Sequence, residues 1–137
     1  MTRYHGSCFC GAVRFEAECD LSQGTSRCNC RFCRKMRYWE IRLPDPASFR
    51  LVAGRDHLAE TPRSQDDGLD MHHWFCATCG TRLWTEGNLS EIGGHFVMVC
   101  INALDDASEA ELIAAPVHHA DGARDAWADP APETRHL

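Results

Sequence analysis

Nine cysteines in 137 residues, seven of them in three tight clusters, carry the chemical content of this chain. The clusters are Cys8-Phe9-Cys10, Cys28-Asn29-Cys30-Arg31-Phe32-Cys33 and Cys76-Ala77-Thr78-Cys79; Cys19 and Cys100 stand alone and read as plain buried thiols. An odd number excludes a complete set of intramolecular disulfides, and close thiol spacing in a chain expected to be cytosolic points to metal or redox chemistry. Zinc takes four ligands in structural sites and commonly three protein ligands in catalytic ones, so seven clustered thiols divide as four plus three. Gly11 and Gly80 directly follow Cys10 and Cys79 and suit turns that fold around an ion. Cys8, Cys10, Cys76 and Cys79 would then form a closed set that staples the N-terminal segment to the middle of the chain.

Cys28, Cys30 and Cys33 lie within six residues and can converge on one ion from a loop entering a short turn of helix, with the fourth corner open. An open zinc accepts a thiolate or a carbonyl oxygen, lowers the pKa of a bound thiol or water and polarises an electrophile. Arg31, Arg34, Lys35 and Arg37 make an island of positive charge in an acidic protein. It suits the carboxylates of a small thiol such as glutathione, and equally the offsetting of metal-thiolate charge. Spacing alone leaves other pairings open: Cys8 and Cys10 with two thiols of the middle cluster, one zinc with the remaining thiols free, or a middle cluster closed by a histidine or Cys19. His72, His73, His95, His118 and His119 are candidate acids or bases, His73 foremost because it closely precedes Cys76. Phe32, Trp39, Trp74 and Trp84 read as core or pocket wall.

The elements that must position these thiols are mainly strands. Ala12–Glu18 alternates Val13, Phe15 and Ala17 with Arg14, Glu16 and Glu18, the period of a strand with one wet face. Tyr38–Leu43, Phe49–Ala53, Met71–Phe75, Thr81–Trp84 and His95–Ile101 are further short runs rich in aromatic and β-branched residues. Ser108-Glu109-Ala110-Glu111 is a capping box that opens one short helix through Ala114, before Pro116. Leu43-Pro44-Asp45-Pro46 and Ala53-Gly54-Arg55-Asp56 read as turns, and Thr61–Gly68 and Thr85–Gly94 as loops. The stretch from Asp121 has little periodicity and is expected to wrap the surface or fray, so the division is a domain over 1–127 and a tail over 128–137.

Length supports a single domain. With 14 Lys+Arg against 20 Asp+Glu, a net charge of −6 removes the global basicity that holds proteins on phosphate backbones, so nucleic acid is not an expected partner. The longest apolar run, Phe96–Ile101, is far short of the roughly 20 residues needed to span a bilayer, and no secretory signal is evident, so a cytoplasmic home is expected.

Three ordered motifs then make the chain recognisable. Gly6-Ser7-Cys8-x-Cys10-Gly11-Ala12-Val13-Arg14-Phe15, Cys28-Asn29-Cys30-x-x-Cys33-Arg34-Lys35 and Phe75-Cys76-x-x-Cys79-Gly80-Thr81 resemble the glutathione-dependent formaldehyde-activating (GFA) enzyme family, which also contains the domain of centromere protein V. The resemblance runs from about residue 4 to residue 127 and includes Leu104-Asp105-Asp106 and His119-Ala120-Asp121-Gly122. It implies a mainly β, Mss4-like zinc-stapled fold, a structural zinc on Cys8, Cys10, Cys76 and Cys79, and a catalytic zinc on Cys28, Cys30 and Cys33. Carbon–sulfur lyase chemistry on glutathione and a small aldehyde, with S-hydroxymethylglutathione formation as the founding activity, is the implied function. Two departures bear on the pocket: Arg82 stands where the family often has histidine, and Met36-Arg37 where many members have glycine. The reading from another class is a zinc-stapled protein-binding module without catalysis.

Overall fold

A computed structural model describes residues 1–61 and 68–137. The loop expected at Thr61–Gly68, with its reversal at Asp66-Asp67-Gly68, therefore lies for the most part outside the described residues. Strands β1 (Thr2–Ser7), β2 (Arg14–Cys19) and β5 (Arg50–Ala53) form a small antiparallel sheet in the order β1-β2-β5. The larger sheet holds β3 (Thr25–Cys28), β4 (Glu40–Arg42), β6 (Leu58–Glu60), β7 (Asp70–Cys76), β8 (Arg82–Leu89), β9 (Gly94–Cys100), β10 (Val117–Asp121) and β11 (Ala126–Pro130). Its order is β11-β10-β3-β4-β9-β8-β7-β6, and β3 and β10 run parallel while the other neighbours run antiparallel. The mainly β expectation holds. No helix among the described residues is long and apolar enough to cross a membrane.

The two sheets are joined by aromatic side chains. Alternation along β2 buries Phe15, Ala17 and Cys19 and leaves Arg14 exposed. The Phe15 ring covers Gly6, its cross-strand partner, where a Cβ would overlap the ring. It stacks on Phe49 at 5.5 Å and meets Trp84 of β8 at 6.2 Å, and Phe49 lies 4.7 Å from Trp84. Each such buried ring contributes about 2 kcal/mol of hydrophobic stabilisation, so this cluster is a main bond between the sheets.

Two helices flank the sheets: α1 (Arg31–Met36) and α2 (Glu109–Ala114). The capping box read from the sequence is formed in full: Ser108 Oγ accepts from the Glu111 N–H, and the Glu111 carboxylate accepts from the Ser108 N–H. The same carboxylate accepts a 2.6 Å hydrogen bond from the Tyr4 hydroxyl, which docks α2 on β1. Tertiary pairing overrides local signals elsewhere. Thr85–Gly94, expected as a loop, continues β8 through Leu89, because β7 and β9 pair with it on both edges. Polar residues there are satisfied inside the fold; Glu86, for one, accepts from the Trp74 indole at 2.8 Å. Strands β3 and β10 carry little alternation and are strands because they pair with each other and, for β3, with β4. Beyond Asp121 the chain neither frays nor merely wraps: β11 pairs with β10 and crosses the residue-128 boundary, and the Ala131 N–H donates to the His119 carbonyl at 2.7 Å.

One buried acid sets a pH dependence. Glu40 on β4 is buried and accepts from the Thr85 hydroxyl at 2.9 Å. With that hydroxyl's one proton on Glu40, the buried His73 Nδ1–H, 3.0 Å away, donates to Thr85. Burial pushes the Glu40 carboxyl up from 4.5 to about 7. A raised carboxyl pKa gives stability that is complete below pH 4.5 and lost as pH climbs through about 7. Glu40→Gln, uncharged at every pH, should match the parent chain near pH 4 and exceed it at pH 8.5 by up to about 3 kcal/mol in urea denaturation. An unchanged difference between the two pH values would contradict this assignment.

Candidate metal centres and the cleft beside them

The four-sulfur group forms where two turns face each other. Cys8 and Cys10 occupy the turn after β1, closed by the Gly11 N–H on the Cys8 carbonyl at 3.0 Å; Cys76 ends β7, and the Gly80 N–H closes the second turn on the Cys76 carbonyl at 2.8 Å. Both Gly11 and Gly80 have positive φ, 78° and 80°, the conformation in which a glycine is unstrained. The Phe9 N–H donates to the Thr81 hydroxyl at 3.0 Å and holds the turns together. The four Sγ atoms lie within 4.8 Å of one another, with Cys8 and Cys10 3.5 Å apart and Cys10 and Cys76 3.7 Å apart. Thiolates around an ion at 2.3 Å in a tetrahedron stand about 3.8 Å apart, so these donors fit such an ion. The Thr81 hydroxyl pulls the Cys79 thiol down to about 5. The pairing with the middle cluster that spacing allowed does not occur.

A second group holds Cys28, Cys30 and Cys33, all half-buried, with sulfurs again within 4.8 Å of one another. Cys28 ends β3, Cys30 caps α1 by accepting the Cys33 N–H at 3.3 Å, and Cys33 lies in the first turn. Neither Cys19 nor a histidine joins this group among the described residues. Hydrogen bonds from the Cys28 and Cys33 thiols, and from backbone N–H groups, pull Cys30 down to about 2, while Cys33 is pushed up by the same contacts.

Residues distant in sequence build the wall around the second group. Asn29 donates through Nδ2 to the buried Asp121 carboxylate at 2.8 Å and accepts from the Ala123 N–H at 2.8 Å, and its own N–H donates to the Ala120 carbonyl. Arg124 completes the Asp121 contacts at 3.2 Å. Gly122 lies directly against the trio, and a Cβ there would overlap Cys28 Sγ. Spacing carries no signal for Asn29, Asp121 or Gly122 as supports, because their partners are about ninety residues away.

A small open cleft of about 10 Å³ lies beside Cys28 and Cys33, and Arg27, Arg34, Arg37, Tyr38 and Leu137 line it. Arg31 and Lys35 of the expected island are exposed and do not line the cleft; Arg27, not singled out in the sequence, takes their place. Its guanidinium stacks over Trp39 at 5.1 Å, and burial together with the Arg37 charge lowers its pKa. Among the described residues no carboxylate stands within ion-pair distance of Arg27, Arg34 or Arg37. Arg37 ends α1 in the left-handed region, φ 57° and ψ 40°, where glycine is usual and another residue costs about 1 kcal/mol. This is the physical sense of the departure at Met36-Arg37. The histidines stand apart from both sulfur groups: His73 packs on Phe32 at 4.5 Å as part of the wall, His72 is held by Glu60 and Asp70, His118 meets the Trp127 carbonyl, and His95 is exposed. Burial and Arg27 lower the pKa of His119.

Known proteins share this arrangement in outline. A crystal structure of a Rhodobacter sphaeroides protein superposes with a TM-score of 0.66 at 25% identity, covering 82% of this chain and 98% of that one. A Halomonas elongata protein, provisionally named a glutathione-dependent formaldehyde-activating enzyme, is 34% identical over 84 residues, 58% of this chain. That match spans about half, 53%, of the relative's length. The family model described as glutathione-dependent formaldehyde-activating enzyme matches residues 3–119. With most of its length under that match and both sulfur groups assembled, the chain belongs to the GFA family.

Proposed function

We propose that this protein is a carbon–sulfur lyase that joins a small thiol, glutathione or a close analogue, to a small aldehyde, or splits their adduct. The observation that carries the reading is the contrast between the two sulfur groups: four donors complete one, whereas three donors beside an arginine-lined cleft leave the other open. Cys8, Cys10, Cys76 and Cys79 would hold a structural zinc, and Cys28, Cys30 and Cys33 a second one. Zinc in the second group supplies affinity for a thiol sulfur and a Lewis acid for a carbonyl oxygen.

The chain's own residues do the rest. Arg27, Arg34 and Arg37, with no carboxylate in ion-pair distance among the described residues, would take the carboxylates of a peptide thiol and so position its sulfur at the mouth of the trio. The packed rings of Phe32 and Tyr38 form the aromatic wall on that side. In the addition a C–S bond forms, the carbonyl π bond opens and the thiol proton ends on the new hydroxyl, so no oxidant or reductant is needed. Arg31 and Lys35 contribute long-range positive potential rather than contacts.

Comparing two ligand variants tests the division of labour. Cys30→Ser should keep the far-UV circular dichroism and melting of the parent chain and lose about 100-fold or more of the rate of S-(hydroxymethyl)glutathione formation above the spontaneous reaction. Cys76→Ser should lose the cooperative fold itself. Equal unfolding of both would make the trio a structural site and sink the lyase reading. Gly122→Ala should reduce bound zinc from two equivalents per chain to one in metal analysis, with the fold intact; two retained equivalents would show that Gly122 does not shape the trio.

A further inference from the structure

The cleft beside the trio already holds a piece of peptide. After the Ala131 N–H anchors on the His119 carbonyl, the chain turns back, with the Leu137 N–H on the Thr134 carbonyl at 3.0 Å. Arg37 Nη1 donates to the His136 carbonyl at 3.1 Å, and Leu137 is half-buried against the same cleft that Cys28, Cys33 and Arg34 line. A Glu133 carboxylate that pairs with Arg135 stiffens the turn. The guanidinium that reaches this carbonyl belongs to the one residue of α1's end held in the left-handed conformation, so a strained backbone position presents the clamp.

We propose that residues 132–137 are a strap closed over the cysteine trio, clamped by Arg37, and that a peptide thiol enters the site by displacing it. The proposal rests on the lyase reading for the identity of the entering ligand, but not for the closure itself. A peptide segment seated on Arg37 beside two sulfurs is a competitor of the same chemistry as a peptide thiol, since both offer backbone oxygens to the same guanidiniums. Closed, the strap shields Cys28 and Cys33 from electrophiles larger than water. Open, it frees the Arg37 guanidinium. The site is therefore self-inhibited, and the population of the open strap scales the apparent affinity for any ligand of the cleft.

The test compares the parent chain, a truncation lacking residues 132–137, and Arg37→Gly, which removes the clamp and also relieves the left-handed backbone. Protein as isolated, with its metal retained, is labelled with limiting N-ethylmaleimide and rates are read for each cysteine by mass spectrometry, with the exposed Cys10 of the other sulfur group as internal reference. Both variants should label Cys28 and Cys33 at least roughly fivefold faster relative to Cys10, and Arg37→Gly should melt no lower than the parent. Equal relative rates in all three proteins overturn the strap. Should the truncated chain unfold, Arg37→Gly decides alone. Turnover of glutathione with formaldehyde is measured in parallel: faster labelling without turnover in any protein keeps the strap and rejects the lyase, whereas turnover with unchanged labelling keeps the lyase and rejects the strap.

Discussion

Like charges set the terms for this molecule. Two thiolates about 4 Å apart repel by about 4 kcal/mol at the effective dielectric of a protein surface, and each sulfur group packs its members within 4.8 Å. Hydrogen bonds favour the thiolate at particular members, as the Thr81 hydroxyl does at Cys79 and the neighbouring thiols do at Cys30. A cation converts the repulsion into four or three strong bonds. The architecture is arranged around that conversion: the turn after β1 and the turn between β7 and β8 are short, glycine-closed and hydrogen-bonded to each other. Those turns tie the small sheet to the large one at one end, while Phe15, Phe49 and Trp84 tie them through the core.

The second group differs in what surrounds it rather than in its donors. Its floor is the local strand-turn-helix of β3 and α1, but its wall is the returning segment from Ala120 to Arg124, fixed by Asn29 and Asp121. Parallel pairing of β3 with β10 is what brings that segment alongside. Because Gly122 has no side chain, Cys28 Sγ can lie against the backbone there. A site made of two remote chain segments can be complete in shape while short of one donor, which is the condition for admitting an outside ligand.

Charge is distributed to match. The protein as a whole is acidic, yet the cleft by the trio is lined by three guanidiniums, and burial together with the Arg37 charge lowers the pKa of Arg27. A buried Glu40, shared through Thr85 with His73, lies on the other side of the aromatic wall formed by Phe32 and Tyr38. Positive potential is thus concentrated at the opening, while Glu40, Thr85 and His73 are linked by hydrogen bonds behind it.

Much of this was legible without coordinates. Thiol spacing within each cluster is a local property, so the compact trio, the helical turn carrying Cys30 and Cys33, and the Ser108–Glu111 capping box follow from residues that are neighbours in sequence, whereas the joining of Cys8 and Cys10 to Cys76 and Cys79 was left open by spacing and decided by the fold. The alternation of β2 is local as well. Tertiary structure alone decided the rest: that β8 runs on to Leu89, that β3, β10 and β11 are strands, that Arg27 replaces Arg31 and Lys35 at the cleft, and that the last residues return to Arg37. In each of these cases the stabilising partner lies tens of residues away, so the local sequence carries half of an interaction whose other half only folding supplies.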